Sequence, residues 1–295
     1  MDRRAFLWAG GCAVAAATAA TAAPMRLMAP RFGNGFLQAV LATEQASGGR
    51  LGLAVIDTAT GERFLHRGSQ LFPMCSTFKF ALAAAILRQV EQRKERLDRR
   101  IPVRAADIVP NSPFCESRVG GSASVGELCR ETIKVSDNAA ANLLLRTIAG
   151  PAGFTRQLRG FGDTVSRLDR WETDMGEAAP GDPRDTTSPL AFAQLARRLV
   201  LGDALAPASR AQLTAWMKAT TTSRKMLRAG LPKGWVVADK TGSGGHGTAN
   251  LLAVAWPPHH APVVVASYIT GSTLPLEQSR PLHARIGRAL AEAYA

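Results

Sequence analysis

Residues 78–90 are mostly apolar, with an unbroken run of alanine, leucine and isoleucine from Ala81 to Leu87, and no other stretch constrains the fold as strongly. A helix that is apolar on nearly every side is stable only when other elements surround it. The chain supplies that surround: helical signals separated by polar loops continue from this run to about Ser209. Strand signals are confined to the two ends. Residues 51–56 and 63–66 read as a hairpin turning through Thr60-Gly61. Residues 236–240, 250–256 and 263–269 are β-branched or apolar runs bounded by glycine and proline. Residues 35–46, with apolar residues at Phe36, Val40 and Leu41, read as a short amphipathic helix, and residues 281–294 close the chain as another helix. Terminal pieces that share a sheet, with helices inserted between them, predict a two-lobed α/β protein. Its antiparallel sheet, flanked by terminal helices, takes residues 23–74 and 218–295, and an all-helical lobe takes 75–217. A cleft between lobes is where a small-molecule site is expected. With 295 residues, 46% of them hydrophobic, the chain can bury a sizeable core.

Residues 1–22 stand apart. Arg3-Arg4 precedes Phe6-Leu7 and a weakly apolar Gly/Ala run, and Ala20-Thr21-Ala22 has the small-x-small form of a cleavage site. Ala17-Thr18-Ala19 is a second candidate. The segment reads as a twin-arginine export signal, too short for a stable membrane span, and predicts a periplasmic or secreted protein. Its removal takes Cys12 and leaves Cys75, Cys115 and Cys129, an odd number. Cys129 lies in an apolar helical stretch and reads as a buried free thiol. No cysteine spacing suits a metal, and His259-His260 reads as a solvated turn, so no metal or organic cofactor is expected.

The net charge of +13 raises nucleic acid as a partner. The densest basic stretch, residues 88–100, interleaves its arginines and lysine with Glu91, Glu95 and Asp98, the pattern of a solvated helix face. No nucleic-acid motif is present. The charge favours an anionic small molecule instead.

Three triplets carry chemistry. Ser76 opens the buried helix, and Lys79 lies one turn on, on the same face. Free N–H groups and the dipole at a helix start favour a developing oxyanion, and Lys79 can take a proton from Ser76. Ser136-Asp137-Asn138 precedes the helical run 139–145. Lys240-Thr241-Gly242 ends a strand ahead of Ser243-Gly244-Gly245. Each alone has a plainer reading: a helix N-cap for the first two, a strand end and glycine turn for the third. The three together, in that order and setting, are the signature of class A β-lactamases and penicillin-binding proteins.

The whole mature chain resembles a class A serine β-lactamase, including Glu127-Leu128-Cys129, Asn142-Leu143-Leu144-Leu145, Trp216-Met217 and Ala238-Asp239. Residues 170–187, with Arg170-Trp171-Glu172 and Asp185-Thr186-Thr187, resemble that family's Ω-shaped loop. The resemblance implies a monomer that hydrolyses the lactam amide of penicillin- and cephalosporin-type antibiotics through an acyl-serine, conferring resistance. Ser76 is then the nucleophile, and Lys79 and Glu172 share the base work of acylation. Glu172 drives deacylation through water, and Ser136 relays a proton to the lactam nitrogen. Asn138 meets the substrate's side-chain amide, and Lys240, Thr241, Gly242 and Ser243 face its carboxylate. An Arg170–Asp185 ion pair pins the loop. The alternative is a penicillin-binding DD-peptidase or β-lactam sensor that acylates without turnover; Glu172 in its loop argues for the hydrolase.

Several positions depart from the family. Gly176 stands where an asparagine often helps hold the deacylating water, which predicts slower turnover of some substrates. Ala249 and Met226 replace two places where an arginine is usual, leaving Arg280, or more weakly Arg224, for the substrate carboxylate. Asn111 replaces an aromatic at the cleft entrance. Cys75 matches a branch with a disulfide at this place, but the partner position is Gly244, so carbapenem hydrolysis is not implied.

Overall fold

In the computed structural model, which describes residues 31–295, five strands from the two ends of the chain build one antiparallel sheet. β1 (Arg50–Asp57) and β2 (Arg63–His66) make the N-terminal hairpin, turning through Gly61 at φ +76°, a conformation that favours glycine. β3 (Val236–Gly244), β4 (Thr248–Trp256) and β5 (Val263–Thr270) follow from the C-terminal part, in the spatial order β2-β1-β5-β4-β3. The export-signal reading of residues 1–22, and Cys12 within it, lie outside the described residues. The described residues form one compact unit, and none of their helices is long and apolar enough to cross a membrane.

The sheet is covered on both faces, which explains why its strands read as apolar runs rather than as alternating patterns. Successive side chains point to opposite faces. Leu51, Leu53, Val55, Leu251, Ala253, Val263, Val265 and Ile269 meet the terminal helices α1 (Asn34–Ser47) and α8 (His283–Ala293). Ala54, Ile56, Leu252, Val254, Val264, Ala266 and Tyr268 face the helical part. That part holds α2 (Phe78–Glu91), α3 (Val125–Lys134), α4 (Asn138–Thr147), α5 (Gly150–Gly160), α6 (Pro189–Ala196) and α7 (Pro207–Lys218).

The apolar run is the axis of the helical part. From Phe78 to Leu87 no side chain of α2 is more than 2% exposed, because α3, α4, α5 and α7 pack around it. Each of Leu82, Ile86 and Leu87 contributes about 1.5–3 kcal/mol by leaving water, and Leu82→Ala would cost about 2–5 kcal/mol. The helix emerges at Arg88, whose guanidinium lies 4.8 Å from the centre of the Phe161 ring. α3 starts on a reciprocal cap: Glu127 N donates to Ser124 Oγ at 3.1 Å, and Ser124 N to Glu127 Oε2 at 2.8 Å.

Three local features differ from the sequence reading. β3 does not stop at Lys240: Thr241, Gly242, Ser243 and Gly244 stay paired with Leu251, Asn250, Ala249 and Thr248. The turn therefore falls later, where His246 and Gly247 have φ of +51° and +62°. α7 runs on to Lys218. Two short ribbons also occur, Phe72–Pro73 with Thr186–Thr187 and Arg100–Pro102 with Ser122–Ser124, too brief to show a strand period. The first ties the end of the 170–187 loop to the segment just before Ser76. Cys75, Cys115 and Cys129 are all buried and unbonded.

Candidate active site

Ser76 and Lys79 stand where the sheet edge meets α2. Ser76 does not cap the helix, as its sequence setting allowed; it lies in a 3₁₀ turn, Cys75–Thr77, that feeds directly into α2. Cys75 is in the left-handed region, with φ +43°. Asn250 on β4 holds the approach by donating Nδ2 to Pro73 O at 2.7 Å. Gly242 on β3 backs the turn. A Cβ there would lie 2.9 Å from Met74 O, 3.0 Å from Thr77 N and 3.1 Å from Ser76 N. Only a glycine lets the two backbones approach so closely.

Lys79 is fully buried and donates to Ser136 O at 2.9 Å, to Ser136 Oγ at 3.4 Å and to Asn138 Oδ1. Its Nζ is 3.0 Å from Glu172 Oε1. Burial pulls the ammonium pKa below its ordinary value, opposed chiefly by the Glu172 charge. Such a lysine gives up its proton more readily than one in water.

The Ser136-Asp137-Asn138 turn divides its labour. Asp137, not Ser136, caps α4: its Oδ1 accepts from Ala140 N at 2.8 Å, and its Oδ2 from Phe114 N at 2.9 Å and Cys115 N at 3.1 Å. Ser136, at φ +64°, is turned away from the helix, and Lys240 Nζ donates to its hydroxyl at 3.1 Å. Asn111 lines the cleft mouth and donates Nδ2 to Ser136 O at 3.0 Å. Asn138 is itself braced, with Nδ2 on Pro110 O at 2.8 Å.

Glu172 arrives from the 170–187 loop. Ser76 Oγ donates to its Oε1 at 3.3 Å. Its backbone is gripped at both ends by Asn142 of α4: Nδ2 donates to Glu172 O at 2.8 Å, and Glu172 N donates to Asn142 Oδ1 at 3.0 Å. The sequence reading quoted Asn142 without a role, although a lone amide inside an apolar helical run was the signal. The expected ion pair is present, with Arg170 Nε 2.6 Å from Asp185 Oδ2, and Asp185 Oδ1 accepts from Asp169 N and Arg170 N. The loop meets the turn just after β3 through backbone, Gly245 N donating to Gly176 O at 2.8 Å.

β3 lies at the sheet edge and brings Thr241, Gly242 and Ser243 to the cleft wall. Lys240 is buried behind them and donates to Thr241 O at 2.8 Å. Burial, then the neighbouring Lys79, holds the Lys240 ammonium well below its ordinary pKa. The cleft has a volume of about 450 Å³; Ser76, Ser136, Asn138 and Glu172 lie on it with Arg280 at one end. Arg224 is exposed and borders a neighbouring hollow, and Met226 is buried in the core beneath the terminal helices. Thr222, which the sequence reading passed over, also lines the cleft. Gly244 faces Cys75, since a Cβ at that position would come within 2.7 Å of Cys75 Sγ. Larger hollows of about 610 and 670 Å³ lie elsewhere, and neither brings a serine together with a lysine and a carboxylate.

A serine hydroxyl hydrogen-bonded to a carboxylate, a buried lysine with a lowered pKa, a second serine and a glycine-tight backbone turn are an arrangement that can carry acyl transfer. Comparisons with known proteins agree. The family model described as "Beta-lactamase enzyme family" matches residues 36–294. β-Lactamase Toho-1 of Escherichia coli is 46% identical over 249 residues, covering 84% of this chain and 86% of that protein. β-Lactamase OXY-2 of Klebsiella oxytoca is 48% identical over 227 residues, covering 77% and 78%. Among solved structures, an ancestral (GNCA) class A β-lactamase superposes with a TM-score of 0.86 at 55% identity, covering 88% of this chain and 99% of that one.

Proposed function

The chain belongs to the class A serine β-lactamase family, and from that premise we propose how its own residues divide the work of hydrolysing a β-lactam. The reaction is hydrolysis of the lactam amide, a step that removes antibiotic activity and so confers resistance. Penicillin- and cephalosporin-type lactams are the proposed substrates. One observation carries the assignment of roles: Glu172 Oε1 lies 3.3 Å from Ser76 Oγ and 3.0 Å from Lys79 Nζ, so one carboxylate oxygen serves nucleophile and lysine together.

In acylation, Ser76 Oγ attacks the lactam carbonyl carbon and its proton passes to the Lys79–Glu172 pair. The oxyanion is received by the backbone N–H groups of Ser76 and Ser243. As the lactam C–N bond breaks, Ser136 gives its hydroxyl proton to the nitrogen and takes one in turn from Lys79, whose Nζ lies 3.4 Å from that oxygen, while Lys240 at 3.1 Å steadies it. In deacylation, Glu172 takes a proton from a water, whose oxygen adds to the ester carbonyl. The ester C–O bond then breaks and returns the proton to Ser76. Asn138 binds the substrate's side-chain amide. Lys240, Thr241, Ser243 and Arg280 bind its carboxylate, and Gly242 allows the close approach. The place of Arg280 on the cleft supports it over Arg224 in that role. The chemistry uses protein groups throughout, and the enzyme acts as a monomer after export. The Arg3-Arg4 segment and cleavage-site pattern support the periplasmic or secreted location.

The test is hydrolysis of benzylpenicillin followed by lactam absorbance. The native protein should turn it over many times, and Ser76→Ala should abolish turnover while leaving the fold intact. A stoichiometric, lasting adduct on the native protein would make it a penicillin-binding or sensor protein instead.

A further inference from the structure

Thr222, in the loop after α7, touches two of the groups placed to meet a substrate carboxylate, Thr241 and Arg280. Its hydroxyl oxygen lies 2.6 Å from Thr241 Oγ1. Its carbonyl accepts from Arg280 Nη2 at 3.4 Å, while Arg280 Nε is buried with no partner. Among the described residues neither threonine hydroxyl has another hydrogen-bond partner.

Two hydroxyls that share one hydrogen bond leave one hydrogen over. If Thr241 donates, its lone pairs face the cleft and it offers an anion nothing. If Thr222 donates, the Thr241 hydrogen is free to bond a carboxylate, and bonds to a charged acceptor are the strong kind. We propose that Thr222 is a positioning residue that fixes Thr241 as a donor toward the substrate carboxylate and, through its carbonyl, orients Arg280 beside it. The inference rests on the β-lactamase reading and adds to it a residue outside the three triplets.

The substitution Thr222→Val keeps the shape and the backbone carbonyl and removes the hydroxyl; Thr222→Ser keeps the hydroxyl. The assay compares benzylpenicillin with its methyl ester, which lacks the negative charge. Thr222→Val should raise KM for benzylpenicillin about tenfold with kcat within about twofold. It should leave kcat/KM for the ester within about twofold, and Thr222→Ser should behave as native. Thr222→Ala also lacks the hydroxyl and should reproduce the acid-selective loss, so a misfolded valine variant does not decide the matter. Equal losses on acid and ester, or no change in KM with either hydroxyl-free variant, would overturn the proposal while leaving the hydrolase intact. Failure of the native protein to hydrolyse benzylpenicillin would overturn the β-lactamase reading itself.

Discussion

His283 should make this protein acid-labile in a measurable and removable way. The ring opens α8 and is fully buried against β4 and β5. Its Nε2 is 3.1 Å from Ala249 O and its Nδ1 is 2.8 Å from Ser267 Oγ. A carbonyl can only accept, so Nε2 carries the hydrogen and Ser267 donates to Nδ1. Burial, aided by the Arg280 charge, lowers the pKa from the ordinary 6.5 to about 4. Between these values the unfolded chain binds more protons than the folded one. Stability is therefore full above about pH 6.5 and is lost as pH falls toward 4. The whole shift corresponds to roughly 3 kcal/mol, most of it lost by pH 4.5. His283→Gln keeps a donor and an acceptor but does not titrate. Urea unfolding at pH 7 and pH 4.5 should show the native protein losing about 2–3 kcal/mol more than the variant, since the other titrating groups cancel in the comparison. Parallel losses in the two proteins would refute the reasoning.

Other outcomes follow from contacts in and around the cleft. Gly242→Ala places a methyl against the Ser76 turn and should lower kcat/KM at least about 100-fold in steady-state assays, because small misplacements of a nucleophile are costly. Gly176 has no atom within 4 Å of a built Cβ. Gly176→Asn should therefore fold with its Tm within about 2 °C of native. It should speed release of slowly hydrolysed substrates in single-turnover kinetics, and an unchanged rate removes Gly176 from the deacylation argument. Asp185→Ala takes the carboxylate from a buried pair with Arg170 and should cost about 3 kcal/mol in urea unfolding. Hydrogen exchange should show the loss concentrated in residues 170–187.

Much of this was legible in the sequence because its signals were strong and local. The apolar run 78–90 forced a buried helix and a surround of helices, and the confinement of strands to the chain ends forced a sheet built from both. The first two triplets stand at the starts of helices, where a side chain can leave the core, whereas Lys240-Thr241-Gly242 lies inside β3 and reaches the cleft because that strand is the sheet edge. What stayed hidden was geometric. Three adjacent residues all favour a helix cap, so sequence could not say that Asp137 takes that role and frees Ser136. The tightness at Gly242 depends on how β3 approaches the Ser76 turn, a contact between segments more than 160 residues apart in the chain. Thr222 and His283 lie outside any motif, and only the packing of a loop and a helix against β3, β4 and β5 gives them partners.

The central claim is that Glu172 separates turnover from mere acylation, and intact-protein mass spectrometry of Glu172→Gln mixed with benzylpenicillin tests it directly. The amide keeps the size of the carboxylate but cannot take a proton from water. The variant should accumulate a lasting adduct with the mass of the whole antibiotic, mapped to Ser76, while the native protein destroys the antibiotic and shows little adduct. Continued turnover by Glu172→Gln with no trapped acyl-enzyme would contradict the account.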